Sequence, residues 1–217
     1  MTQLFALVRL SNRRLATLKG VRVARLYALN MGFGYVLFTL FLHGASVRRL
    51  GQIVQESLSF ASWLVCGIAA FAVLRAPRGF DTSWAELGRL RGYTSAHLQK
   101  AYWLSLGLRL ALDLVIAVFP ALLVIALLAD APTLGQRVGW PLLGGLYAAS
   151  LGLAIAGLVV LAQRATRDHA VSLFLSLMIA PELLAIFTTL PGFGLPGLFS
   201  RALDWMFVIA PLRLGVG

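Results

Sequence analysis

Residues 104–129 read LSLGLRLALDLVIAVFPALLVIALLA, and only Arg109 and Asp113 in that run carry charge. A helix needs about 20 consecutive apolar residues to cross the hydrocarbon core of a bilayer, so this run is long enough to span. Pro120 lies inside it and is expected to kink the helix, because proline has no amide hydrogen and its ring crowds the preceding turn. The rest of the chain is of the same kind. Its 217 residues are 59% hydrophobic and 12% charged, with mean hydropathy +0.85. A soluble domain carries about a quarter charged residues. The composition therefore predicts an all-α polytopic membrane protein forming one domain over 1–217.

Five further apolar runs lie near 26–43, 58–74, 140–161, 171–190 and 203–214, which gives six predicted spans. The stretch 130–139, DAPTLGQRVG, reads as a tight turn between two of them. Residues 1–25 carry Leu4, Leu7, Val8, Leu15 and Leu18 against Arg9, Asn12, Arg13 and Lys19. That pattern predicts a basic amphipathic helix lying in the interface, with its arginines toward lipid phosphates. It lacks the basic, apolar, small-residue order of a secretory signal. Span 140–161 has a small-residue face, Gly145, Ala149, Gly152 and Ala156, suited to close helix packing.

The net charge of +11 comes from 17 Arg and 2 Lys against 8 acids. No basic stripe with interleaved aromatics lies outside the spans, so nucleic acid is not an expected partner. Basic residues instead mark cytoplasmic loops. With six spans and the N-terminus inside, fourteen basic residues face the cytoplasm, four (Arg48, Arg49, Arg137 and Arg201) lie outside, and Arg109 begins a span. Both termini are thus expected in the cytoplasm, and the chain in a bacterial inner membrane. Cys66 is the single cysteine and lies in an apolar run, where a small packing role is the simplest reading.

This topology places 78–103, RGFDTSWAELGRLRGYTSAHLQKAYW, on the cytoplasmic side as part of a polar insert over 75–103. Asp81, Thr82 and Ser83 form an N-cap cluster, and Ser83 with Glu86 fits a capping box. Two helical turns follow, with Gly92 placed to end them and Thr94-Ser95 to open the next helix. Trp84, Leu87, Leu90 and Arg91 recur at helical spacing, while Glu86 and Arg89 point elsewhere. Such a helix suits docking into a groove of a soluble partner. A plain connecting loop is the alternative.

The basic N-terminal helix and the D-T-S-x-x-E-L core at 81–87 resemble the type-2 ABC transporter permease family. So do the Gly/Pro-broken LPGFGLPGLFS at 190–200 and the closing APLRL at 210–214. The resemblance covers nearly the whole chain and is one of architecture. It implies that the insert is a coupling helix seated on a separate ABC ATPase subunit. Residues 191–200 would form a re-entrant segment, and a second permease subunit, identical or homologous, would complete the pathway. ATP and Mg would be bound by the partner ATPase. This agrees with the absence of a G-x-x-x-x-G-K-[ST] motif here: neither Lys19 nor Lys100 follows a glycine-rich turn. A membrane scaffold recruiting a partner through the same insert is the second reading, and a polytopic enzyme the third.

Ionisable residues within spans are costly and mark functional positions. Arg109 and Asp113, four apart, can pair on one helix face. Glu182 follows Pro181 inside another span. These three are candidates for a polar transport path or gate, with structural ion pairing as the alternative. No catalytic or metal set is readable: His43, His97 and His169 are scattered, H-E-x-x-H and G-x-S-x-G are absent, and the aspartates are isolated.

Overall fold

The computed structural model describes residues 2–37, 41, 57–58, 61–76, 86, 88, 90–128, 134–166 and 168–189, and its regular structure there is entirely helical. Helix α1 spans Thr2–Leu15 and α2 spans Lys19–Asn30, continuing into a π-helical turn at Met31–Tyr35. A second π turn, Ser62–Cys66, leads into α3, Gly67–Leu74. The long helices are α4, Ser95–Leu128, and α5, Leu134–Ala165; α6 covers Ala170–Thr189.

Two expectations about boundaries are corrected. Residues 1–25 are not one helix, because the chain turns at 16–18. The last carbonyls of α1 are taken up locally: Thr17 Oγ1 donates to the Arg14 carbonyl at 2.7 Å and Arg22 Nε donates to the Ala16 carbonyl at 2.9 Å. A guanidinium at a helix C-terminus also complements the helix dipole. Likewise 130–139 is not wholly a turn, since α5 already begins at Leu134. Gly135 and Gly139 lie in that stretch. Each glycine costs a helix only about 1 kcal/mol relative to alanine, too little to end a helix of 32 residues.

At 1.5 Å per residue α4 is about 50 Å long, well beyond the ~30 Å of a bilayer core. Its first turns extend past the apolar run, and α1 lies along them: Leu7, Leu98 and Ala101 form a small core joined by Leu4, Val8 and Tyr93. Between α4 and α5 the packing is close. A Cβ at Gly152 would overlap the Ala111 and Leu110 backbone, and one at Gly107 would lie 2.5 Å from Leu153 Cδ2. Gly145, by contrast, has open space around it. The packing face is therefore Ala148, Leu151, Gly152, Ile155, Ala156 and Val159, which keeps Gly152 and Ala156 of the expected face and leaves Gly145 out.

Helix α4 continues through Pro120, which cannot donate to the Ile116 carbonyl. Gly32, in the first π turn, approaches that place: a Cβ on it would stand 2.6 Å from the Ile116 oxygen and 3.2 Å from Pro120 Cδ. Only a residue without a side chain lets α2 close on the proline-freed turn.

Outward faces of the long helices are apolar too. Leu108, Leu112, Phe119, Leu123 and Leu127 on α4 are exposed, as are Leu134, Val138, Leu142, Leu143 and Leu146 on α5. Two helices, over Ser95–Val124 and Arg137–Ala165, are long and apolar enough to cross a membrane. An apolar surface this extended is foreign to soluble monomers, whereas a helix hydrophobic all round fits a lipid environment.

The short helix of the insert ends as its residues indicate. Gly92 has φ +73°, the Tyr93 amide donates to the Gly88 carbonyl at 2.9 Å, and the Arg91 amide donates to the same carbonyl at 3.2 Å. This is a glycine-terminated Schellman arrangement, with Tyr93 packing on the Leu7–Leu98 core. Thr94 then caps α4: its Oγ1 accepts from the His97 amide at 3.4 Å and lies 2.6 Å from His97 Nδ1. Gly92→Ala is expected to cost about 1–2 kcal/mol, the left-handed penalty for an L-residue, measured by equilibrium unfolding in mixed micelles. No change would show that this turn is not fixed.

Candidate functional site

Ser105, Arg109 and Asp113 succeed one another at four-residue intervals, so α4 presents them on one face. Each meets a different polar group across the helix boundary. The Ser105 and Ser11 hydroxyls share a hydrogen bond of 2.7 Å, and Ser105 also donates to the Tyr102 carbonyl at 2.9 Å. Arg109 Nη1 donates to Asn12 Oδ1 at 3.1 Å. Arg25 Nε donates to Asp113 Oδ1 at 2.7 Å, forming an ion pair. A ladder of three polar contacts thus fastens α4 to α1 at two rungs and to α2 at the third.

The Arg109–Asp113 expectation is corrected here. The two share a face, but the ion pair that Asp113 makes among the described residues is with Arg25, 88 positions away in sequence. The reason is geometric: the α2 guanidinium reaches Asp113 from the neighbouring helix, while Arg109 is drawn to Asn12. Arg25, Ser11 and Ser105 were not singled out in the sequence, and Asn12 was read only as part of the polar face of α1. Arg25 looked like one more cytoplasmic basic residue, and Asn12 like the wet face of an interfacial helix.

Burial makes the site costly. Asp113 is 0% exposed, with Ser11 and Ser105 nearly so, while the Arg25 side chain keeps 33% exposure. Asp113 Oδ2 and Arg109 Nε are buried without a hydrogen-bond partner. A buried ion pair gains Coulomb energy but loses hydration of similar size, so its strongest consequence is to fix position. Two guanidiniums facing one carboxylate, with an oxygen and a nitrogen unfilled, form a junction able to exchange partners when α4 moves against α1 and α2.

The insert supplies a second candidate surface. Glu86, Leu90 and Arg91 are exposed, Leu90 to 86%. Gly88 is buried, and a Cβ there would lie 2.6 Å from Leu98 Cδ2. Gly88, which was not singled out, therefore seats the insert on α4 and turns Glu86 and Leu90 away from it. Asp81, Ser83, Trp84, Leu87 and Arg89 lie outside the described residues, as do segments 191–200 and 203–214. Glu182 lies on α6, but its side chain is outside the description. Cys66 is a buried free thiol in the main core. No group of three or more potential metal ligands occurs among the described residues.

Contacts also gather the basic segments at one end of the bundle. Arg164, near the end of α5, donates to Gln99 on the first turns of α4, and Gln163 Nε2 donates to the Tyr102 hydroxyl at 3.5 Å. The α1 helix, the end of the insert and the end of α5 therefore lie together. Comparison of the chain with protein-family models, with curated proteins and with solved structures finds no match.

Proposed function

We propose that the chain is the membrane-spanning permease subunit of an ATP-driven ABC exporter. In this reading it has six spans, both termini in the cytoplasm of a bacterial cell and a second permease subunit beside it. A separate ATPase binds ATP and Mg and grips the insert. The observation that carries this reading is the continuity of α4. One helix is joined at its first turns to the insert through Gly88 and Tyr93, and deeper in carries Asp113 against Arg25. A push on the exposed Glu86 and Leu90 would pass to α4 through the Gly88 and Tyr93 contacts with Leu98, and along α4 to the buried ion pair. Gathering of basic residues at one end agrees with that end being cytoplasmic.

Purification of the full chain from its native membrane in mild detergent tests the reading. An ABC ATPase should co-purify and hydrolyse Mg·ATP. Leu90→Glu together with Glu86→Arg should lower its recovery at least tenfold, about 1.4 kcal/mol in binding. Recovery of a different cytoplasmic protein through the same face would favour a scaffold. Equal ATPase recovery with wild-type and variant chains would remove the insert from the interface.

A further inference from the structure

A cavity of about 440 Å³ lies between α1 and the turn that ends the insert, lined by Phe5, Ala6, Leu7, Arg9, Leu10, Arg13, Arg91 and Tyr93. Its size falls in the ordinary range for small-ligand sites. Three guanidiniums line it, and among the described residues no acidic side chain does. Phe5, Arg9 and Arg13 recur at four-residue intervals along one stripe of α1, so an apolar ring continues directly into two cations. Arg91 comes from the opposite wall. Its place is set by the left-handed Gly92 behind it and by Tyr93, which is packed on Leu7 and Leu98. Arg9, Arg13 and Arg91 are all exposed, and none is ion-paired to a described residue. Phe5 is 72% and Leu10 37% exposed beside them.

From this arrangement we infer that the cavity binds the phosphate headgroup of an anionic phospholipid, its acyl chain lying along Phe5 and Leu10. Planar guanidiniums bind phosphate oxygens in pairs, and clustered basic residues recognise anionic lipid at the cytoplasmic leaflet. The apolar half selects lipid over a free phosphate ion, for which Phe5 and Leu10 have no use. Because one wall is α1 and the other the insert, a bound lipid joins the two. It would hold Arg91, and with it the start of α4, in the observed position. The inference rests on this end of the bundle facing a leaflet. It does not require the ATPase, so loss of lipid binding and loss of ATPase recovery are separate outcomes.

The test uses the full chain in detergent micelles titrated with phosphatidylglycerol, with bound lipid counted by native mass spectrometry. Arg91→Gln should weaken the tightest phosphatidylglycerol binding at least fivefold, and Arg9→Gln with Arg13→Gln at least tenfold. Arg91→Lys should recover part of the loss, and Lys100→Gln, at the same end but outside the cavity, should stay within twofold. Phosphatidylcholine should bind at least fivefold more weakly, and inorganic phosphate should not displace the lipid. Unchanged binding in Arg91→Gln would overturn the site, and an equal loss in Lys100→Gln would replace it by diffuse adsorption. Displacement by phosphate alone would assign the cavity to a soluble anion instead.

Discussion

Replacing Asp113 with alanine is expected to destabilise the folded chain by about 3–5 kcal/mol, the usual loss when one member of a buried ion pair is removed. The magnitude follows from what is left behind. Arg25 loses the oxygen 2.7 Å from its Nε, and Arg109, with its own Nε already unfilled, stays close by. Both guanidiniums, partly exposed, would then lose the buried carboxylate that faces them. Removing both partners, as Arg25→Met with Asp113→Leu, should recover more than half of that loss, because an apolar pair of similar volume has no charge to strand. Equilibrium unfolding in mixed micelles gives both numbers. A loss below about 1 kcal/mol for Asp113→Ala would mean that the pair behaves like an exposed one.

Gly152→Val should be the most damaging single change in the long helix pair, at about 3 kcal/mol or more, beyond the ordinary cost of overpacking. A Cβ at this position meets the backbone of Ala111 and Leu110, which cannot rotate aside as a side chain can. Between membrane helices no hydrophobic force compensates for separation, since lipid is as apolar as leucine. Gly145→Ala is the control. Nothing lies within 4 Å of its Cβ position, and the added methyl should stabilise α5 by up to about 1 kcal/mol through helix propensity. The same unfolding assay separates the two, and comparable losses at both positions would contradict this packing.

These positions mark what was legible in the sequence. The helices of the described core could be located from apolar runs, and the Gly92 stop and Thr94 cap from residue types that have a local mechanism. Asp113 could be recognised as costly because any charge inside a span is. Its partner could not, since a four-residue spacing makes Arg109 the neighbour along α4, whereas Arg25 arrives only when α2 packs there. Long-range partners follow from topology, and no periodicity encodes them. The packing face of α5 was legible in part: Gly152 and Ala156 do pack toward α4, but small residues recur on more than one side of the helix, and only contact with α4 leaves Gly145 outside. At the start of α5, glycine and proline gave a turn signal that continued helical hydrogen bonding overrode.

The central claim is that the insert and the buried junction on α4 move as one body. With Cys66→Ala as background, spin labels placed at Leu26 on α2 and Leu108 on α4, both exposed, report the distance between those helices by pulsed electron resonance. In complex with the proposed ATPase subunit, the label distance should shift by several ångströms between the nucleotide-free and ATP-trapped states. The Leu90→Glu, Glu86→Arg chain should show a single distribution in both. Identical distributions for the unaltered chain in the two nucleotide states would contradict the account.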